Sequence, residues 1–299
     1  MTPDEILSQA PRVLSQKQRE FYFEQGYLLV EEFVDRIWLK KLRDAIDRQV
    51  ELSRKVTQSD SVFDLEPNHR SDDPRLRRVS SPCDQDPVFW QFLVESRIGD
   101  LLADLLGPDV KFYQSKLNFK WAKGGSEVKW HQDVPFFPHT NNAVLTCGTY
   151  IYDCGMEQGP LGVIPGSHKN PIYDHYNTKG VWTGDIQPED LPSVPVGTAQ
   201  YLCGPAGSIT LHNYRTVHGS KANQSDIGRP LLLNVMSAAD AVPYTHNPLH
   251  SKYEQQLIRG VPAKWAHHEE GRFLIPPDWS GGYTSIFDLQ QKAGMPAAE

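Results

Sequence analysis

The stretch Lys111-Phe112-Tyr113-Gln114-Ser115-Lys116-Leu117-Asn118-Phe119-Lys120-Trp121 reads as a strand, and it opens a series. Further short apolar segments follow at 126–131, 144–153, 161–164, 208–212 and 230–237, separated by Gly, Pro, Asn and Asp. Short strands with turn signals at this spacing predict a mainly β fold, a sandwich or barrel. Residues 1–110, before the series, read as helical. A polar helix over 16–25 stops at Gly26, and Tyr27-Leu28-Leu29-Val30 reads as a short strand. Asp35 caps a helix running to about Lys55, with Ile37, Leu39, Leu42 and Ile46 on one buried face. Residues 58–73 read as a polar loop. Asp86-Pro87 starts one long helix that Gly107-Pro108 ends. No repeat, low-complexity segment or linker interrupts the chain. The expectation is one domain, with a helical region over residues 1–110 packed on one face of a β core over 111–240, and a Gly/Pro-rich arm over 241–299.

Composition excludes several classes. The 299 residues carry a net charge of −7, with 39% apolar and 22% charged residues. Disorder does not fit this apolar content, and no run approaches the roughly 20 apolar residues of a membrane span. An acidic chain without a basic face predicts no nucleic-acid partner. Cys83, Cys147, Cys154 and Cys203 form no C-x-x-C pair and read as free thiols of a reducing compartment. No basic region followed by an apolar one opens the chain, so the expected location is the cytoplasm. No heptad or exposed apolar stripe specifies an oligomer.

The chemistry concentrates in two places. In Trp130-His131-Gln132-Asp133, the i, i+2 spacing on a strand points an imidazole and a carboxylate the same way. In Thr216-Val217-His218-Gly219-Ser220, His218 can supply a third ligand. Two His and one carboxylate on one face form the triad of non-haem Fe(II) oxygenases, which leaves coordination positions for a chelating 2-oxo acid and O2. Arg229 follows His218 by eleven residues. A buried guanidinium neutralises the distal carboxylate of such an acid, and Ser220 can add a hydrogen bond. The polar turn 223–228 lets the chain reverse so that Arg229 returns beside the His218 strand.

Taken together, H-x-D, a distant H-G-S and Arg229 resemble the phytanoyl-CoA dioxygenase family of Fe(II)/2-oxoglutarate oxygenases. Three further stretches agree. Gln114 to Lys120 is similar to the strand before the metal pair in the family's ectoine hydroxylases. Gly159-Pro160-Leu161-Gly162-Val163-Ile164-Pro165-Gly166-Ser167-His168 resembles its G-x-L-x-x-I-P-G-S-H segment. The opening 16–34 resembles the family's start. The resemblance covers about residues 16–237. It implies a double-stranded β-helix, or jelly roll, holding Fe(II) through His131, Asp133 and His218, with 2-oxoglutarate against Arg229, Ser220, Gln114 and Asn118. It further implies O2-dependent hydroxylation of a small-molecule substrate. Asp133 fits oxygenation, because related halogenases have a small residue at that place.

Other residues carry competing readings. His212 shares parity with His218 and is either a ligand or a buried supporting histidine. His168 reads as belonging to a Pro-Gly turn, His139 as a surface-loop residue, and His267-His268 as solvated. Phe136, Phe137 and Trp279 are candidates for the substrate pocket, with core packing as the alternative. The arm carrying Trp265, Trp279 and Tyr283 is either a lid or a packing segment. Arg75, Arg77 and Arg78 read as a solvated charge run rather than a greeting for an anionic substrate. Two rival functions remain: a cupin-like metalloenzyme needing no 2-oxo acid, and a non-catalytic jelly-roll binding protein.

Overall fold

Alternation of apolar and polar residues along the central strands gives each one an oily face and a polar face, and the fold is built on that difference. The structure is a computed structural model that describes residues 1–281, 283 and 285–293. Before residue 110 it contains α1 (Pro3–Leu7), α2 (Gln16–Gln25), β1 (Tyr27–Val30), α3 (Arg36–Ser53), β2 (Phe63–Leu65), β3 (Leu76–Ser80), α4 (Pro82–Gln85), α5 (Pro87–Glu95) and α6 (Ile98–Leu106). Then come β4 (Val110–Asn118), β5 (Val128–His131), β6 (Val144–Tyr150), β7 (Leu161–Val163), β8 (Gln200–Leu202), β9 (Ile209–Asn213), β10 (His218–Ser220), β11 (Leu231–Ala238), β12 (Leu257–Arg259) and α7 (Ile286–Ala293).

Two antiparallel sheets result. The larger has the order β1-β9-β6-β11-β4-β3-β2, with β12 added to β4, and the smaller is β5-β10-β7-β8. Their inner faces enclose a cavity, which is the jelly-roll arrangement. The outer face of the larger sheet carries Phe112, Leu117, Leu145, Leu211, Leu232 and Met236. It packs on Leu39, Leu42 and Ile46 of α3, Phe89, Phe92 and Leu93 of α5, and Leu101, Leu102 and Leu105 of α6. Each such side chain contributes roughly 1.5–3 kcal/mol on burial. The helices thus shield one face of the larger sheet, and its other face is free to carry polar groups.

A bulge sets which residues those are. The register of β4 on β11 shifts between Val235↔Gln114 and Met236↔Phe112, leaving Tyr113 without a partner. Phe112 therefore packs outward, while Gln114, Lys116, Asn118 and Lys120 line the inner cavities. These four share a face because the alternation runs on unbroken after the bulge.

Several expectations are corrected. The segment before residue 110 is not purely helical, because β2 and β3 extend the larger sheet. Arg77 and Arg78, on β3, are buried, so the Arg75–Arg78 run is not a solvated one. Arg77 pairs with Asp64 at 2.7 Å. The long helix after Asp86 is two. Ser96 breaks it, with its hydroxyl donating to Phe92 O at 2.5 Å and accepting from Ile98 N at 3.2 Å. Ile37 is exposed, whereas Leu39, Leu42 and Ile46 are buried as expected. His168 sits in the expected turn, its Nε2 3.1 Å from Phe23 O. Gly26 ends α2 at φ +79°, and a Cβ there would lie 2.3 Å from His168 Nδ1, so only glycine lets the turn approach. All four cysteines are free. Among the described residues, no helix is long and apolar enough to cross a membrane.

His139 is not a surface residue but fully buried, its Nδ1 2.7 Å from Phe137 O. Burial pushes its pKa down to about 3, despite the help of that carbonyl. A free imidazole titrates near about 6.5. Between these values the unfolded chain binds a proton that the folded chain refuses, so stability is full above the higher value and falls with pH below it. In thermal melts between pH 7 and pH 4, His139→Phe should lose less of its midpoint than the wild type. Parallel curves would refute this origin of acid sensitivity.

Candidate metal centre

His131 is the last residue of β5 and pairs across the smaller sheet with His218, the first residue of β10. Their ring centroids are 4.1 Å apart. Asp133 lies just beyond β5, where Asp133 N and Val134 N both donate to Tyr214 O at 2.9 Å. One ligand atom each from His131, Asp133 and His218 can lie within 4.8 Å of the others, and this is the one such group found among the described residues. His131 Nε2 is 4.0 Å and His218 Nε2 3.8 Å from Asp133 Oδ1.

Backbone carbonyls fix the tautomers. His131 Nδ1 faces Lys129 O at 2.8 Å, and His218 Nδ1 faces Thr216 O at 2.9 Å. Each Nδ1 therefore carries the proton, and each Nε2 presents a lone pair to the common centre. Thr146 Oγ1 donates to Asp133 Oδ2 at 2.8 Å and orients the carboxylate. Burial pushes His131 down to about 4 and His218 well below its ordinary value, so both rings are neutral at pH 7. For Asp133, burial acts to raise the pKa, but His218, Lys116 and His212 outweigh it and hold the carboxyl well below the usual range. Two neutral imidazoles and a carboxylate are the donor set a divalent transition metal takes.

His212, on β9, is the alternative ligand weighed from the sequence. Its Nε2 is 3.5 Å from Asp133 Oδ2, on the oxygen held by Thr146 rather than the one facing His131 and His218. It lies outside the three-ligand group but lines the same cavity, and neither of its ring nitrogens has a hydrogen-bond partner among the described residues.

The inner cavity, about 560 Å³ including its open mouth, holds Arg229, Ser220, Asn118 and Lys120 with the three candidate ligands. Arg229 is 4% exposed, and its Nε and Nη1 have no partner among the described residues. Leaving a guanidinium unpaired in this way is costly unless an anion joins it. The polar turn 223–228 is observed, with Asn223 Nδ2 donating to Lys120 O and Ile227 O. The turn carries the chain from the smaller sheet to the larger, so Arg229 faces β10 across the cavity instead of lying beside it. Its backbone exchanges both hydrogen bonds with Lys120. Burial, with Arg229 nearby, pushes Lys120 down to about 6, and its Nζ donates to the Ser220 and Lys221 carbonyls.

A second, smaller cavity of about 290 Å³ adjoins the first and shares His131, Asp133, Lys116 and Ile286 with it. Gln114 lines this second cavity, not the one holding Arg229, and its Oε1 has no partner. Phe136 and Phe137 line it as well. Trp279 lines neither cavity. It stands behind Phe136, donating from Nε1 to Phe136 O at 3.0 Å. Trp265 is exposed. The arm ends in α7, an element absent from the sequence reading. Its Ile286 and Phe287 roof the cavity, and Ser285 Oγ donates to Asp64 Oδ2 at 2.6 Å. Two buried groups escaped sequence reasoning. Thr146 has no motif, and His175 Nε2 accepts from Gln132 N from a loop 43 residues away.

Comparison with known proteins agrees with this geometry. A probable alpha-ketoglutarate-dependent hypophosphite dioxygenase of Stutzerimonas stutzeri is 31% identical over 290 residues, covering 93% of this chain and 98% of that protein. The ectoine dioxygenase of Bordetella parapertussis is 26% identical over 250 residues, covering 79% and 78%. Among solved structures, EctD from S. alaskensis with 2-oxoglutarate and 5-hydroxyectoine superposes with a TM-score of 0.63 at 20% identity, covering 92% of this chain and 93% of that one. SnoK, an alpha ketoglutarate dependent carbocyclase of nogalamycin biosynthesis, gives 0.63 at 22%, covering 88% and 98%. These two show the shared jelly roll. The sequence profile of the phytanoyl-CoA dioxygenase (PhyH) family matches residues 22–231, which span both candidate histidine ligands and Arg229, and the chain belongs to that family.

Proposed function

We propose that this chain is a non-haem Fe(II)/2-oxoglutarate-dependent dioxygenase, working as one domain, that hydroxylates a small molecule at an unactivated C–H bond. The observation that carries the reading is one cavity holding both a three-ligand His-Asp-His group and a buried guanidinium whose Nε and Nη1 have no partner among the described residues. His131, Asp133 and His218 hold the metal. Arg229, with Ser220 and Asn118 in the same cavity, takes the distal carboxylate of 2-oxoglutarate. Gln114, in the adjoining cavity, belongs to the substrate side with Phe136 and Phe137.

Bound iron with 2-oxoglutarate and O2 supplies the oxidising power, and 2-oxoglutarate leaves as succinate and CO2. The chain's own groups do the positioning. Carbonyls 129 and 216 keep both imidazoles in the ligating tautomer. Thr146 holds Asp133 by its Oδ2, the oxygen that His212 Nε2 approaches to 3.5 Å. Leu161, Leu231 and Leu233 wall the space between Arg229 and the metal group, matching the methylenes of a dicarboxylate and excluding water. A metalloenzyme that uses no 2-oxo acid would have no use for the buried Arg229. The four free thiols support a cytoplasmic location.

Anaerobic addition of Fe(II) and 2-oxoglutarate should give a weak visible charge-transfer band that Asp133→Ala abolishes. A band of equal strength in that variant would sink the ligand assignment. Removing one partner of a buried charged pair costs about 2–5 kcal/mol, which is about 30-fold or more in affinity. Arg229→Gln should therefore raise the half-saturating 2-oxoglutarate concentration by at least about that factor while iron affinity changes little. Loss of iron binding with unchanged 2-oxoglutarate demand would reverse the two roles. Thr146→Val should weaken Fe(II) binding about 10-fold, the lower end of what losing a ligand's hydrogen-bond partner costs. Unchanged affinity by equilibrium titration would show that Thr146 does not orient Asp133.

A further inference from the structure

Resting on the iron and 2-oxoglutarate reading above, we infer that the primary substrate is a small oxyanion, held in the second cavity by Arg78 and Lys116. Arg78 stands on β3 directly opposite Asn118 of β4, so its side chain enters the space between the sheets. It is 1% exposed. Its Nε donates to Asn118 Oδ1 at 3.1 Å, but its Nη1 has no partner among the described residues. The rings of Tyr283 and Phe287 lie 5.8 and 5.9 Å from its guanidinium carbon, which fixes the group in an aromatic sleeve. Among the described residues no carboxylate pairs with it, whereas its neighbour Arg77 has Asp64.

Lys116 lies two residues before Asn118 on the same face of β4 and lines both cavities. The charges near it are Asp133 and Arg78, and burial lowers the pKa of its amine. Once a divalent metal and 2-oxoglutarate are bound, that carboxylate is committed. The metal and Arg229 together balance Asp133 and the dicarboxylate. Arg78 then remains as a cation without a counter-charge, with the Lys116 amine beside it, in a space walled by Phe136, Phe137 and Leu249. Buried cations of this kind ask for a counter-charge, and a guanidinium fork fits the paired oxygens of a carboxylate, phosphinate or phosphonate. The cavity touches His131 and Asp133, so an anion seated on Arg78 and Lys116 presents its remaining atoms to the metal group. The size of the cavity, about half that of its neighbour, selects a small one.

Protein loaded anaerobically with Fe(II) and 2-oxoglutarate is titrated by calorimetry with hypophosphite, methylphosphonate and acetate, and with acetamide and methylammonium as uncharged and cationic probes. At least one oxyanion should bind ten-fold or more tighter than either control, and the phosphorus and carbon arms tell which kind the site prefers. Arg78→Gln should weaken that oxyanion at least ten-fold, Arg78→Lys should recover some of the loss, and Lys116→Met should weaken it several-fold. The 2-oxoglutarate titration should move less than the oxyanion titration in the same variants. Binding of no oxyanion, equal binding of acetamide, or an equal loss of 2-oxoglutarate in Arg78→Gln overturns the proposal. If Arg78→Gln lacks the wild-type near-ultraviolet dichroism, the Arg78→Lys and Lys116→Met arms decide it, and wild-type affinity in both overturns it. Absence of the visible band in the wild type would sink the underlying iron and 2-oxoglutarate reading instead, which separates the two failures.

Discussion

The antiparallel register that sets His131 opposite His218 is the constraint on which the site depends. It brings two imidazoles from segments 87 residues apart into contact, and the backbone carbonyl two residues before each ring decides which nitrogen is free. Asp133 reaches the same point because its backbone leaves β5 and hangs on Tyr214 O. A one-residue slip in either strand would turn a histidine to the opposite face of the sheet. The smaller sheet is therefore short, and its position is held by the larger sheet and by the helices that bury the outer face of that sheet.

A buried polar face is costly, and this molecule distributes the cost in an orderly way. The outer face of the larger sheet is apolar and shielded by α3, α5 and α6. The inner face carries Gln114, Lys116, Asn118 and Lys120, with Arg78 on β3 and Arg229 just before β11. Some of these cations are satisfied within the chain, as Lys120 is by two carbonyls and Arg77 by Asp64. Others are not: Arg229 and Arg78 each retain nitrogens without a partner among the described residues. The unpaired ones sit in two different cavities that meet at the metal group. On the proposed reading, that division separates a place for the co-substrate from a place for the substrate.

Much of this was legible in the sequence where a motif fixed local geometry. H-x-D, H-G-S and Arg229 are close enough in sequence, or distinctive enough in spacing, to be read as a metal and anion site. The polar turn 223–228 and the shared parity of 114–120 were also legible, because both follow from backbone rules that act over a few residues. The strands β2 and β3 were not. Each is only three to five residues long, and their polar flanks mimic a loop, so pairing with β4 decides them. The break at Ser96 was hidden for a similar reason: the apolar stripe continues through it, and only the side-chain hydrogen bonds to Phe92 and Ile98 end one helix and start the next.

By itself the sequence determined the mainly β class and pointed to the three candidate ligands and to Arg229 as a candidate anion partner, because these rest on periodicity and on residue chemistry that travels with the motif. Tertiary structure decided what no local rule encodes. It turned His139 inward and set His212 near the Asp133 oxygen that Thr146 holds, outside the three-ligand group. It put Gln114 and Asn118, alike in the strand, into different cavities. It also converted Arg78 from one residue of a charged loop into a buried cation beside the metal group. The physical reason is common to all of these: burial and counter-charge depend on which strands lie side by side, and that is a property of the folded sheet rather than of any short stretch of chain.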